Sequence, residues 1–216
     1  MEQRPEANDM VRPRRQPGEG PVTRETLLDL FRGLVDKNYS AIGLSDAELA
    51  DYVTRLLVAF ARPAELYAVR DRQGRELQNL GALLAASDPV HGGAASFERE
   101  AAVRRHIGDF ALFFTGMFPE SLRGRRGEDR LLEYVAAGKE SYQIVSAYEE
   151  TRAGCEPPPE LTALALPVAE EGAPRAALFA ALARQFERCM YGLNLVRSEI
   201  ASYGGPEYQA ARDLLM

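Results

Sequence analysis

Residues 103–118 read V-R-R-H-I-G-D-F-A-L-F-F-T-G-M-F, from Val103 to Phe118. From Ile107 onward the stretch is apolar on nearly every side, the pattern of a helix buried on all its faces. It nevertheless carries Asp109, with Arg105 four residues before it and His106 three before it. A carboxylate in such a helix has to find a partner or give up its charge. The stretch is therefore expected to form the centre of the fold and to hold its most constrained polar group.

The flanking sequence extends this into an all-α reading. Pro119 closes the central helix, because the residue before a proline resists the helical region, and a start near Ser96 gives a helix over 96–118. A second long helix is expected over 127–151, with Leu131, Tyr134, Gly138, Ser141, Val145 and Tyr148 on one face. Upstream, Thr23 is a suitable N-cap for a first helix carrying Leu27, Leu30, Phe31 and Leu34. Val22 and Leu27 can form a hydrophobic staple there. Ser45-Asp46-Ala47-Glu48 has the spacing of a capping box, and Leu49, Tyr52, Val53, Leu56, Leu57 and Phe60 follow at helical spacing.

Residues 63–88 allow two readings. Asp71-Arg72-Gln73-Gly74 can be a hairpin turn between short strands. The helical spacing of Leu77, Leu80, Leu83 and Leu84 favours two short helices with Gly74 between them. Downstream, Cys155-Glu156-Pro157-Pro158-Pro159 reads as a stiff linker, and Leu161 to Val168 as a short helix. A last long helix is expected from Pro174 to about Tyr203, stopped by Gly204-Gly205-Pro206. Its stripe is Leu178, Leu182, Phe186, Cys189, Leu193, Val196 and Ile200. A short amphipathic helix carrying Tyr208, Ala211 and Leu215 follows. The sum is a single helical bundle of about seven helices over 23–216, preceded by a disordered tail over 1–22 that is poor in apolar residues and rich in Pro and Gly.

Composition bounds the function. A chain of 216 residues buries roughly 70% of its unfolded surface, so no disulfide or metal is needed for stability. The net charge is -6. Four Arg and four acids cancel within residues 1–22, so the folded body carries all of it. That argues against a nucleic-acid-binding body, which needs a positive face. Arg123, Arg125, Arg126 and Arg130 read as a solvated loop, with an anion or acidic-partner site as the alternative. No run reaches the ~18 uncharged apolar residues of a membrane span, and no signal-peptide core is present. Cys155 and Cys189 are too isolated for a disulfide framework or zinc site. Reduced thiols and a cytoplasmic location are expected. Only Lys37 and Lys139 are lysines, so 24 of the 26 basic residues are Arg. Together with the alanine content this points to a GC-rich bacterial genome.

Chemistry-bearing residues gather around the central helix. Arg105, His106 and Asp109 are neighbours on one helical surface. In one reading Asp109 is tied to Arg105, to a helix N-terminus or to a tyrosine, and fixes its helix in register. In the other a pocket exposes Asp109 and His106 as a proton donor–acceptor pair. On the following helix Tyr134, Gly138 and Tyr142 are spaced by four. Gly138 and Ser141 allow close helix approach, with Gly108 and Gly116 as a matching surface. The alternative is a cavity rimmed by tyrosine hydroxyls. The candidate polar cluster is thus Arg105, His106, Asp109, Tyr134 and Tyr142.

Glu98, His106, Asp109, Glu133 and Glu140 are potential metal ligands. A di-iron bundle needs Glu-x-x-His on two helices, and the residues three before His91 and His106 are Asp88 and Val103. No metal or cofactor is expected. Phosphate-binding loops, dinucleotide fingerprints, zincin motifs and nucleophile elbows are absent from the sequence. The leading expectation is a non-enzymatic protein that binds another protein or self-associates, through the long final helix and the apolar end Leu214-Leu215-Met216. The alternative is a small-molecule site or enzyme between the helices over 96–118 and 127–151.

Overall fold

The computed structural model describes residues 23–88, 96–122, 130–152 and 175–215. They form α1 (Arg24–Ala41), α2 (Ala47–Phe60), α3 (Pro63–Leu66), α4 (Leu80–Ser87), α5 (Phe97–Met117), a 3-10 turn (Pro119–Leu122), α6 (Leu131–Arg152), α7 (Ala176–Arg184), α8 (Phe186–Ser202) and α9 (Pro206–Leu215). The all-α bundle read from the sequence is the one observed, with nine α-helices among the described residues rather than about seven. The tail over 1–22, the arginines at 123, 125 and 126, and the linker and short helix expected over 155–168 lie outside the described residues.

Side-chain caps set the helix starts. Thr23 accepts from the Thr26 amide at 3.2 Å and Ser96 from the Arg99 amide at 3.2 Å. The cap of α2 is Asp46, which accepts from the Leu49 amide at 3.1 Å, one residue later than the Ser45 expected from the capping box. Asp46 takes the extended backbone conformation that an N-cap requires.

The helical reading of 63–88 is corrected in its middle. After the single turn of α3 the chain makes one antiparallel bridge, Arg70 with Glu76. The turn between them is held by Asp71, whose carboxylate accepts from the Gln73 and Arg75 amides at 2.8 and 2.9 Å. Gly74 supplies the left-handed backbone, φ 79°, that closes it. Leucine spacing resumes as a helix only at α4, where Asn79 caps the Ala82 amide.

The helix expected over 174–203 is two helices. It breaks at Gln185, whose backbone (φ −106°, ψ 17°) leaves the helical region. The two halves follow different neighbours: α7 lies along α6, and α8 lies along α5. The break seats the ring of Phe186 over Gly138, where an added Cβ would stand 2.6 Å from the ring. The stripe of α8 completes the core of its own chain, with Cys189, Leu193, Val196 and Ile200 all buried.

α5 is the innermost element. From His106 to Met117 every residue but Phe114 is buried. α6, α8 and α4 pack against it, and α2 touches it more narrowly. Removing the apolar side chains of one such helix from water supplies roughly 25 cal/mol per Å², so the elements around α5 are locked chiefly by burial. Asn194 of α8 fixes the stagger by donating to the Gly116 carbonyl at 3.2 Å, and Arg197 clasps Glu120 with two hydrogen bonds of 2.7 Å.

Candidate functional site

Asp109 sits in the middle of α5 with 0% of its surface exposed. Two tyrosine hydroxyls converge on its Oδ1. Tyr52 of α2 donates at 2.7 Å and Tyr142 of α6 at 2.8 Å. Oδ2 accepts no hydrogen bond. One carboxyl group therefore joins three helices. Each tyrosine buries its ring in hydrocarbon and spends its polar tip on the same acceptor. Phe179 of α7 packs edge-on against Tyr52, with centroids 5.7 Å apart, and also lies 5.9 Å from the Tyr142 ring.

The local sequence makes room for this. Gly108 precedes Asp109, and the Tyr142 ring lies where its side chain would be: a Cβ there would stand 2.5 Å from Cε1. Gly138 similarly receives Phe186. The glycines on α5 and α6 thus serve packing, but each receives a side chain from another helix rather than the facing glycine. The space anticipated between the two helices as a possible cavity rimmed by tyrosine hydroxyls is filled at these points by rings.

Burial pushes the Asp109 carboxyl up to about 6, against the opposing effects of the Tyr52 hydrogen bond, the Arg105 charge and the Tyr142 hydrogen bond. Burial, reinforced by the nearby Asp109 charge, also raises both tyrosines well above their ordinary range. They are donors at any physiological pH.

The rest of the expected cluster divides. Arg105, one turn before Asp109 and half-buried, acts on the carboxyl through its charge. His106 is buried but belongs to a different environment, between the rings of Phe60 and Phe110 at centroid distances of 5.7 and 6.2 Å. Burial, then the Arg105 charge, lowers its pKa to about 4, against a hydrogen bond with the Leu66 backbone. Its Nε2 has no partner, as Oδ2 of Asp109 has none. The two residues do not form a hydrogen-bonded pair, so the proton donor–acceptor arrangement is not assembled. Tyr134 is separate again. It is half-buried, stacks on Phe110 at 6.3 Å and hydrogen-bonds the backbone of Leu80 at the start of α4.

The structure therefore unites Asp109 with Tyr142 and places His106 and Tyr134 elsewhere. It adds Tyr52, which the spacing of α2 places only on an apolar stripe. The signal was present: a tyrosine among Leu, Val and Phe on a buried stripe still needs a partner for its hydroxyl. Of the possible metal ligands, His106 and Asp109 are buried, while Glu133 and Glu140 are exposed on α6. Among the described residues no group of three or more His, Cys, Asp or Glu is placed to hold a metal ion. No helix among them is long and apolar enough to cross a membrane.

As a chemical arrangement, this is a buried carboxyl of raised pKa held by two hydroxyls. It fixes the register of the three helices it joins. Comparison with protein families, with curated proteins and with solved structures finds no match to this chain.

Proposed function

We propose that this protein acts in the bacterial cytoplasm by binding, either another protein or a second copy of itself, through the outer edge shared by α6 and α8. The observation that carries this reading is the exposure of two large apolar side chains on that edge, Leu132 at 77% and Tyr191 at 56%. One ion pair links the two helices beside them. Lys139 of α6 and Glu187 of α8 form a 2.6 Å ion pair. On α6 Leu132 lies two turns before Lys139, and on α8 Tyr191 lies one turn after Glu187. Tyr191 is followed four residues later by half-buried Leu195 on the same outer surface. Buried polar groups, by contrast, are committed to holding the core. An apolar strip rimmed by charges is a common form of protein-binding surface.

The test is light scattering on the wild-type protein and on a Leu132→Asp/Tyr191→Asp double variant, together with capture of partners from the native host by both. Self-association or a captured partner that the double variant loses supports the reading. A wild-type monomer at high concentration, with the same captured set for both proteins, overturns it. The reading of a small-molecule site or enzyme between α5 and α6 gains no supporting observation, since the carboxyl there has no exposed surface.

A further inference from the structure

We propose that Asp109 is a proton-operated clasp: the junction of α2, α5 and α6 is tight while its carboxyl carries a proton and loosens when the proton leaves. The geometry gives a buried charge on this carboxyl little compensation. Both hydroxyls donate to Oδ1, the position of a carbonyl oxygen, and Oδ2 accepts nothing. An ionised carboxylate shares its charge over two oxygens. Here that leaves charge on a buried oxygen with no hydrogen-bond donor, which is costly.

The groups that act on the carboxyl are Tyr52 from α2, Tyr142 from α6 and Arg105 from α5 itself. Beyond them, Arg175 at the start of α7 acts on Tyr52, and Cys189 of α8 acts on Tyr142. Arg105 favours ionisation, as do the two hydrogen bonds, and burial outweighs all three. His106, one turn away, stays neutral in the folded protein until about 4. In the weakly acidic range above that, the change at this level of α5 is at Asp109. Because the two hydroxyls come from different helices, one deprotonation acts on three elements together.

The experiment is an NMR titration of the aspartate carboxyl carbons in the full chain, with amide hydrogen exchange of α6 on both sides of the midpoint. Wild-type Asp109 is expected to titrate near 6. In Tyr142→Phe the midpoint moves higher, because the ionised form loses a donor. Exchange along α6, corrected for its intrinsic pH dependence, is faster above the midpoint than below it in the wild type but not in Asp109→Asn, which cannot ionise. A wild-type midpoint at the ordinary aspartate value or lower overturns the proposal, and needs no variant to fold. So does an α6 exchange profile with the same pH dependence in wild type and in Asp109→Asn.

Discussion

Two of the carboxylates that tie helices together in this molecule are held in opposite ways. Asp109 joins α2, α5 and α6 in the middle of the core, with two neutral hydroxyls as its hydrogen-bond partners. Glu199 joins α8 to α1 at the rim. Its Oε1 accepts from the Lys37 ammonium at 2.6 Å, and its Oε2 from the Asn38 amide at 3.0 Å. At Asp109 burial wins and the carboxyl is raised. At Glu199 burial also raises, but the hydrogen bonds from Lys37 and Asn38 and the lysine charge outweigh it, and the carboxyl sits below its ordinary value. The difference shows that a hydrogen bond count does not fix a carboxylate's charge state. Two neutral donors on one oxygen of a fully buried carboxyl leave its pKa raised. One bond to each oxygen, one of them from a cation near water, keep it charged.

Removing the acceptor in the core should have the largest effect. Asp109→Ala leaves two buried hydroxyls without a partner and a void beside them, and should cost about 3–5 kcal/mol of unfolding free energy in urea denaturation. A loss below about 1 kcal/mol would mean that the node is not what holds the three helices.

Gly108→Ala asks whether the space is as constrained as the bonds. Its Cβ would meet the Tyr142 ring, and the expected loss is about 1–3 kcal/mol from overpacking, partly offset by the better helix propensity of alanine. An unchanged or raised Tm would show that the ring can step aside.

Tyr142→Phe removes one donor and leaves the ring. The expected cost is about 1 kcal/mol where Asp109 is protonated, and about 2 kcal/mol above about pH 7, where the lost bond is to a charged acceptor. Equal costs at the two pH values would contradict the raised carboxyl. The smallest effect is expected at the rim. Glu199→Gln should lower stability by less than any of these changes, and the difference should shrink further in high salt, because Lys37 is largely exposed.

The pH responses of the two sites also differ in sign. Between the ordinary aspartate value of 3.8 and about 6, folded protein holds a proton on Asp109 that unfolded chain has released. Its contribution to stability is thus fully present below 3.8 and is lost as pH rises through about 6. Glu199 is lowered, so its contribution is present above the ordinary glutamate value of 4.5 and is lost as pH falls through its folded value. His106 acts like Glu199 in this respect. Its pKa falls from 6.5 to about 4, so stability from the neutral ring is lost as pH drops across that interval. Subtracting the stability–pH curves of Asp109→Asn and Glu199→Gln from that of the wild type should give slopes of opposite sign.

Much of this was readable along the chain. The burial of α5 and the need to compensate Asp109 both follow from residues 103–118, because apolar periodicity is a local property. Tyrosine as one possible partner was also foreseeable, since a buried hydroxyl and a buried carboxyl each need the other. The grouping of Asp109 with His106 and Tyr134 failed because helical spacing gives neighbours on a surface, not the direction of each side chain's partners. His106 turns towards Phe60 and Leu66, and Tyr134 towards Phe110 and Leu80. The turn at 71–74 is not legible in the leucine spacing, which is helical around it, whereas Asp71 and Gly74 decide the backbone through hydrogen bonds and a left-handed angle.

The amino-acid order by itself determined an all-helical chain with one helix buried on every side and a carboxyl inside it, because helix formation and burial are set by residue spacing within single segments. Only the tertiary structure decided that the carboxyl belongs to Tyr52, 57 residues away, and to Tyr142, 33 residues away. It alone also split the chain at Gln185 so that α7 and α8 could follow different neighbours. Hydrogen-bond partners across helices depend on crossing and stagger, and these are fixed by how rings fill the spaces beside glycines, which no single segment contains.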